Sequence, residues 1–238
     1  MLFDALDGKI ARMTNAASDF GGQLDSLADV VSFGIAPAAL VALWHSRLLA
    51  GSGAETLWAQ MTWFFCLAYA MAALLRLARF NVENEPGEEA HLNFVGLPVP
   101  GAAGLVAAVI IFHDYLGIPA HNEVVAGIHN VFGEEAIIGI LNFIRIIMPL
   151  MMIMLAFLMV SSRIRYAHVL NKFFRERKTF DYLTYLIFGF VLFALVPQLA
   201  ILVVFIIYVG SGPVYFAVGY FRSKEPIAKV QSEDNLSG

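Results

Sequence analysis

Six long apolar runs, at about residues 31–50, 57–78, 94–112, 137–160, 181–196 and 198–220, limit what this chain can fold into more than any other feature. A helix rises about 1.5 Å per residue, so roughly 20 apolar residues cross about 30 Å of hydrocarbon. Most of the runs reach that length, and 181–196 is marginal. Lipid offers no partner for backbone N–H and C=O groups, so a spanning segment is either a helix or a strand of a closed barrel. The runs lack the strict apolar/polar alternation of barrel strands. The sequence therefore predicts an all-α, polytopic transmembrane helical bundle with about six spans. With 59% hydrophobic and only 14% charged residues, the chain is far from soluble domains, in which these classes approach about half and a quarter.

Charge then orients the bundle. If each run crosses once, every lysine and arginine except Arg47 and Arg145 falls on the side of the N-terminal segment. The positive-inside rule assigns that side to the cytosol, and in a bacterium the membrane is the cytoplasmic one. Cys66 is the only cysteine, so no intrachain disulfide can form. Residues 1–221 are expected to form one membrane domain and residues 222–238 a polar, disordered cytosolic tail. The stretch 113–136 is expected to be an exposed loop. No nucleic-acid partner is expected; the surroundings are membrane lipids.

Against this apolar background the chain opens MLFDALDGKIARMTNAASDFGGQLDSLADVV. Asp4 and Asp7 are spaced i, i+3, and Asp25 and Asp29 i, i+4, so each pair shares one helix face. The four carboxylates converge if the two helical pieces pack antiparallel. Clustered carboxylates repel one another and need a compensating charge, which hard divalent cations such as Mg²⁺, Mn²⁺ or Ca²⁺ supply. Two such ions about 4 Å apart clamp phosphoryl oxygens. Gly8 and Gly21 allow backbone to approach a bulky ligand, and Arg12 can pair with phosphate. A structural acid cluster and an ion-translocation site are the alternatives.

Written as a pattern, these residues read D-x2-D-G-x2-A-R-x8-G-x3-D-x3-D, with Asp4, Asp7, Gly8, Ala11, Arg12, Gly21, Asp25 and Asp29 at the fixed positions. At about one in twenty per position, a chance match is on the order of 10⁻¹⁰ per start site. The pattern resembles the signature of the CDP-alcohol phosphotransferase family. That resemblance implies that Asp4, Asp7, Asp25 and Asp29 hold two divalent ions, Mg²⁺ or Mn²⁺, with Asp29 also acting as general base. It implies that Gly8, Ala11, Arg12 and Gly21 surround the CDP group, and that the protein is a homodimer.

DSLADVVSFGIAPA, ALLRLARFNV, GLPVPGAA and LMVSSRIRY further resemble the branch of that family that joins L-serine to CDP-diacylglycerol. Glycerol 3-phosphate or inositol as acceptor, and an inactive cation-binding membrane protein, are the rival readings. Arg76 and Arg79, one turn apart at a helix end, are candidates for binding the serine carboxylate or the lipid phosphate, with interfacial anchoring as the alternative. In the family a further helix precedes the first aspartates, whereas three residues precede Asp4. One or two N-terminal family helices are therefore expected to be missing, leaving the activity of this chain in question.

Overall fold

The apolar runs fold as helices because only a helix pairs all its backbone groups internally in lipid. In the computed structural model, residues 19–49, 55–83, 94–118, 123–162, 165–166, 184, 187, 189–191 and 193–234 are described. The first described helix has three parts in unbroken succession: α1 (Asp19–Asp29), a π-helical turn (Val30–Ile35) and α2 (Ala36–Leu49). α3 (Glu55–Glu83) returns alongside it, followed by α4 (Val99–Gly117), α5 (Glu123–Phe132), α6 (Glu134–Val160) and α7 (Pro197–Asp234). Among the described residues five helical stretches are long and apolar enough to cross a membrane: Gly21–Leu49, Leu57–Val82, Val99–Gly117, Glu134–Val160 and Pro197–Ala217. The chain is thus an all-α polytopic membrane protein. The sixth expected run, 181–196, lies partly outside the described residues; those of it that are described are helical except Val196.

Two features differ from the sequence reading. The stretch 113–136, expected as a loop, is mostly helix. α4 continues to Gly117 and α5 follows, its Val125 buried and its His129 Nε2 3.1 Å from the Leu116 carbonyl oxygen. The apolar residues of EVVAGIHNVF give a short helix a face to bury, which a count of its histidines and glycines does not reveal. At the other end, α7 runs on to Asp234, through most of the segment expected to be disordered. Extending an existing helix needs no new nucleus, and nucleation is the costly step.

The core is built from α2, α3, α4 and α6, with Val41, Tyr69, Val106, Met148, Met152 and Leu155 fully buried. Lipid tails are as apolar as these side chains, so close packing rather than water exclusion holds the helices together. Small residues make the close packing possible: Ala38, Ala42, Ala72, Ala73, Ala102 and Ala108 are all buried. On α4, a Cβ added at Gly101 or Gly104 would run into the rings of Tyr208 or Phe205, so α7 lies directly against that helix. Exposed Leu43, Phe64, Leu67, Phe143, Ile146 and Phe157 are the lipid-facing counterpart.

A short connector closes one end. Phe94–Val95 (β1) pairs antiparallel with Arg165–Tyr166 (β2), and the Leu97 amide donates to the Leu158 carbonyl at 3.0 Å. Gly96 makes this return with φ +82°, and a Cβ there would lie 2.6 Å from the Met159 carbonyl oxygen, so glycine is required twice over.

Candidate active site

Of the eight motif positions, Gly21, Asp25 and Asp29 lie among the described residues, and all three belong to α1. Asp4, Asp7, Gly8, Ala11 and Arg12 lie outside them. Gly21 and Asp25 are exposed, and Asp29 is half-buried. Asp25 and Asp29 stand one turn apart on the helix, as their spacing predicts. Among the described residues no three His, Cys, Asp or Glu side chains gather as a metal-binding group.

Ser26, between the two aspartates in sequence, ties α1 to α3. The Asn81 side-chain amide donates to Ser26 Oγ at 3.0 Å, while Ser26 Oγ reaches the Gly22 carbonyl oxygen at 3.1 Å. Ser26 and Asp29 are spaced i, i+3, so the face that carries Asp29 is the one tethered to the end of α3.

Directly after Asp29 the helix is irregular for a chemical reason. Pro37 has no N–H, so the Phe33 carbonyl lacks its regular i+4 donor. The chain widens into the π-turn, in which the Ala36 amide bonds back to the Val31 carbonyl. The Tyr69 hydroxyl, on fully buried Tyr69 of α3, donates to the Phe33 carbonyl at 3.0 Å. Side chains from neighbouring helices and local π adjustments are the means by which spanning helices tolerate proline. Next to this bond, Gly34 lets the helices touch, since a Cβ there would lie 3.1 Å from Ala73 Cβ.

Arg76 lies on the same face of α3 as Tyr69 and Ala73, at i+7 and i+3. Along α3 it falls between Tyr69 and Asn81. Their partners, Phe33 and Ser26, bracket Asp29 on the first helix. Arg76 is half-buried, its Nε is buried and makes no hydrogen bond, and Tyr208 of α7 is within electrostatic range. Arg79, one turn further on, is exposed. The two arginines paired by the sequence reading thus occupy different surroundings. Pro37, Ser26 and Tyr69 were not singled out from sequence; the proline within an apolar run close to the motif was the one available signal.

At the opposite end of the bundle, His45 Nδ1 and Thr62 Oγ1 are 2.9 Å apart, and the Thr62 hydroxyl donates to the Trp58 carbonyl at 2.8 Å. Buried His113 packs edge-on against Trp44, with Nδ1 3.2 Å from Asp114 Oδ1. These contacts join α2, α3 and α4 by buried polar groups, and His113 and His129 serve the packing of separate elements.

Residues 1–160 match the family described as CDP-alcohol phosphatidyltransferase, and this chain belongs to that family. Among proteins it is similar to, one from Methanocaldococcus jannaschii named CDP-diacylglycerol–serine O-phosphatidyltransferase is 44% identical over 117 residues, which cover 49% of this chain and 49% of the relative. Proteins of the same name from Mycobacterium bovis and Saccharomyces cerevisiae are 39% and 40% identical, over 48% and 44% of this chain and 38% and 36% of their own lengths. The aligned stretch thus spans about half, or less, of the length of these curated relatives. No solved structure matches.

Proposed function

We propose that the protein transfers a phosphatidyl group from CDP-diacylglycerol to L-serine, giving phosphatidylserine and CMP. The observation that carries the reading is the complete eight-position motif inside a 160-residue family match, with relatives at up to 44% identity that bear this activity in their names.

The chemistry asked of the residues is specific. The serine hydroxyl oxygen forms a bond to the phosphorus that carries the diacylglycerol, and the bond from that phosphorus to the bridging oxygen breaks. CMP leaves with the electron pair. An alcohol ionises far above neutral pH, so its proton must be taken during the attack, and Asp29 is the residue assigned to accept it. No fixed position of the motif is Ser, Cys or His, which favours direct attack over a covalent enzyme intermediate. Asp25 and Asp29, two hard oxygen donors one turn apart, suit divalent-metal ligation together with Asp4 and Asp7. When bound, Mg²⁺ or Mn²⁺ supplies positive charge against the charge that develops on the departing phosphate. Gly8, Ala11, Arg12 and Gly21 are assigned to the CDP group. Arg76, bracketed at the level of Asp29 and with an unpaired buried Nε, is assigned to the serine carboxylate or the lipid phosphate. The site is placed on the cytosolic side, in line with the basic residues at that end.

The test is CMP release by the purified chain in the presence of CDP-diacylglycerol and Mg²⁺ or Mn²⁺. Serine is expected to support release, and glycerol 3-phosphate and inositol are not. Release supported equally by inositol or glycerol 3-phosphate would transfer the assignment to another acceptor. No release with any alcohol, from a folded chain that binds metal, would favour a non-catalytic cation-binding role.

A further inference from the structure

We propose that Tyr69 is a positioning residue: by holding the π-turn that Pro37 imposes, it sets the rotation of α1 so that Asp29 and Ser26 face the bundle rather than the lipid. The inference rests on the reading of Asp25 and Asp29 as reactive-site carboxylates, and it concerns how they are aimed.

The argument is one of helical phase. On α2 the buried positions are Pro37, Ala38, Val41, Ala42 and His45, preceded by buried Gly34 in the turn. Continued backwards at 3.6 residues per turn, that stripe would fall near positions 30, 27 and 23, and would bury Leu27. In the structure Leu27 is 62% exposed, whereas the half-buried positions are Ser26, which is bonded to Asn81, and Asp29 beside Val30. One extra residue accounts for the difference, because a residue added to a helix rotates everything before it by about 100°.

The outer face shows the same step. Large exposed apolar residues fall at Leu24, Leu27, Val31 and Ile35, then at Leu40 and Leu43. Successive gaps are three or four residues except between Ile35 and Leu40, where the gap is five, and that gap ends the π-turn and passes over Pro37. A helix widened in this way leaves the Phe33 carbonyl in need of a donor inside the membrane. Tyr69, fully buried on a face that touches Gly34 through Ala73, supplies it. Leu24 and Leu27 of α1 therefore go to lipid while Ser26 and Asp29 turn toward α3, on a single helix continuous with a spanning segment.

The experiment reads rotation directly. In the full chain with Cys66→Ala, single cysteines placed in turn at 24, 27, 28, 31, 35, 36, 39, 40 and 43 carry a spin label. Collision with oxygen against a water-soluble nickel chelate is measured in phospholipid vesicles. Oxygen contact is expected to peak at 24, 27, 31 and 35 and again at 40 and 43. Contact at 39 as strong as at 40, the phase of an unbroken helix running on from 35, would overturn the proposal. The pair Pro37→Ala with Tyr69→Phe restores the missing N–H and removes the clamp, so the label at 27 is expected to lose oxygen contact and CMP release to fall at least tenfold. Deleting Ser32 in that background takes out the extra residue, and is expected to return both the label pattern and CMP release. A merely structural Tyr69 would be harmed further by the deletion, and that result would overturn the positioning role. Should the paired variant fail to insert, the label pattern of the unaltered turn still decides the phase. The labels report whether or not the chain turns over, so a failure of the transferase reading is distinguishable from a failure of this one.

Discussion

Replacing Arg76 and Arg79 separately by glutamine separates substrate binding from interfacial anchoring. Glutamine keeps much of the stem that packs along α3 and removes the charge. Arg76 is half-buried, with Nε shielded from solvent and making no hydrogen bond. A charge-assisted bond formed there with a carboxylate or phosphate contributes about 1.5–3 kcal/mol, which corresponds to roughly a 10- to 150-fold loss of affinity when it is removed. Arg79 is exposed. An ion pair at such a position contributes about 0–1 kcal/mol, or no more than roughly fivefold. The assay is initial-rate CMP release with serine and CDP-diacylglycerol varied in turn. Arg76→Gln is expected to raise the KM of one of the two by more than tenfold and to change kcat less; whichever KM moves identifies the anion bound. Arg79→Gln should move neither beyond about fivefold. A larger effect at Arg79 than at Arg76, or none at either, would refute the reasoning from burial and leave both as anchors.

Asp29→Asn is expected to lower turnover by about 10²–10⁴-fold while CDP-diacylglycerol binding, measured by equilibrium dialysis in detergent, is largely kept; loss of binding in step with activity would remove the general-base assignment. Asp25→Asn should instead shift the Mg²⁺ or Mn²⁺ concentration for half-maximal rate upward, and an unchanged metal dependence would exclude Asp25 as a ligand. Chelation with EDTA should abolish CMP release and excess Mn²⁺ restore it, whereas activity that survives exhaustive chelation would end the metal hypothesis. Met152→Ala, at a fully buried core position far in sequence from the motif, should destabilise the fold by about 2–5 kcal/mol, seen as a lower midpoint in detergent melts without a change in KM; a wild-type midpoint would mean the α6 packing has been misplaced.

The spans were legible in sequence because lipid leaves so few options: an apolar run without alternation has to be a helix, and Leu57–Val82 and Glu134–Val160 enclose the runs that predict them. The pairing of Asp25 with Asp29 was legible for the same kind of reason, as spacing on a helix is fixed by its pitch. What escaped the sequence depends on two helices at once. Arg76 and Arg79 are equivalent as letters, and only the position of Arg76 on the packed face of α3, with Tyr208 of α7 in electrostatic range, makes it half-buried while Arg79 is exposed. α5 escaped because a ten-residue helix offers little periodicity, and its stability comes from the burial of Val125 and the contact of His129 with the end of α4.

In the positioning proposal Pro37, a residue with no chemistry of its own, decides where chemistry happens. Its missing N–H is a local fact of one residue, and its local result is a widened turn over Val30–Ile35. Left there, the cost would be an unsatisfied carbonyl in the membrane, so the neighbouring helix has to answer with a donor, and Tyr69 does so. The bond fixes α3 against the turn just where Gly34 and Ala73 already bring the two backbones close. From that contact α1 runs only two turns to Asp29 and Asp25, too short a lever to lose the orientation it has been given. On the proposed reading, a carboxylate that meets a metal and a substrate hydroxyl needs its geometry held to about half an ångström, which a free helix end does not provide. On the proposal made above, the proline, the turn and the tyrosine give a spanning helix, whose outward face is apolar, an end that turns Asp29 inward.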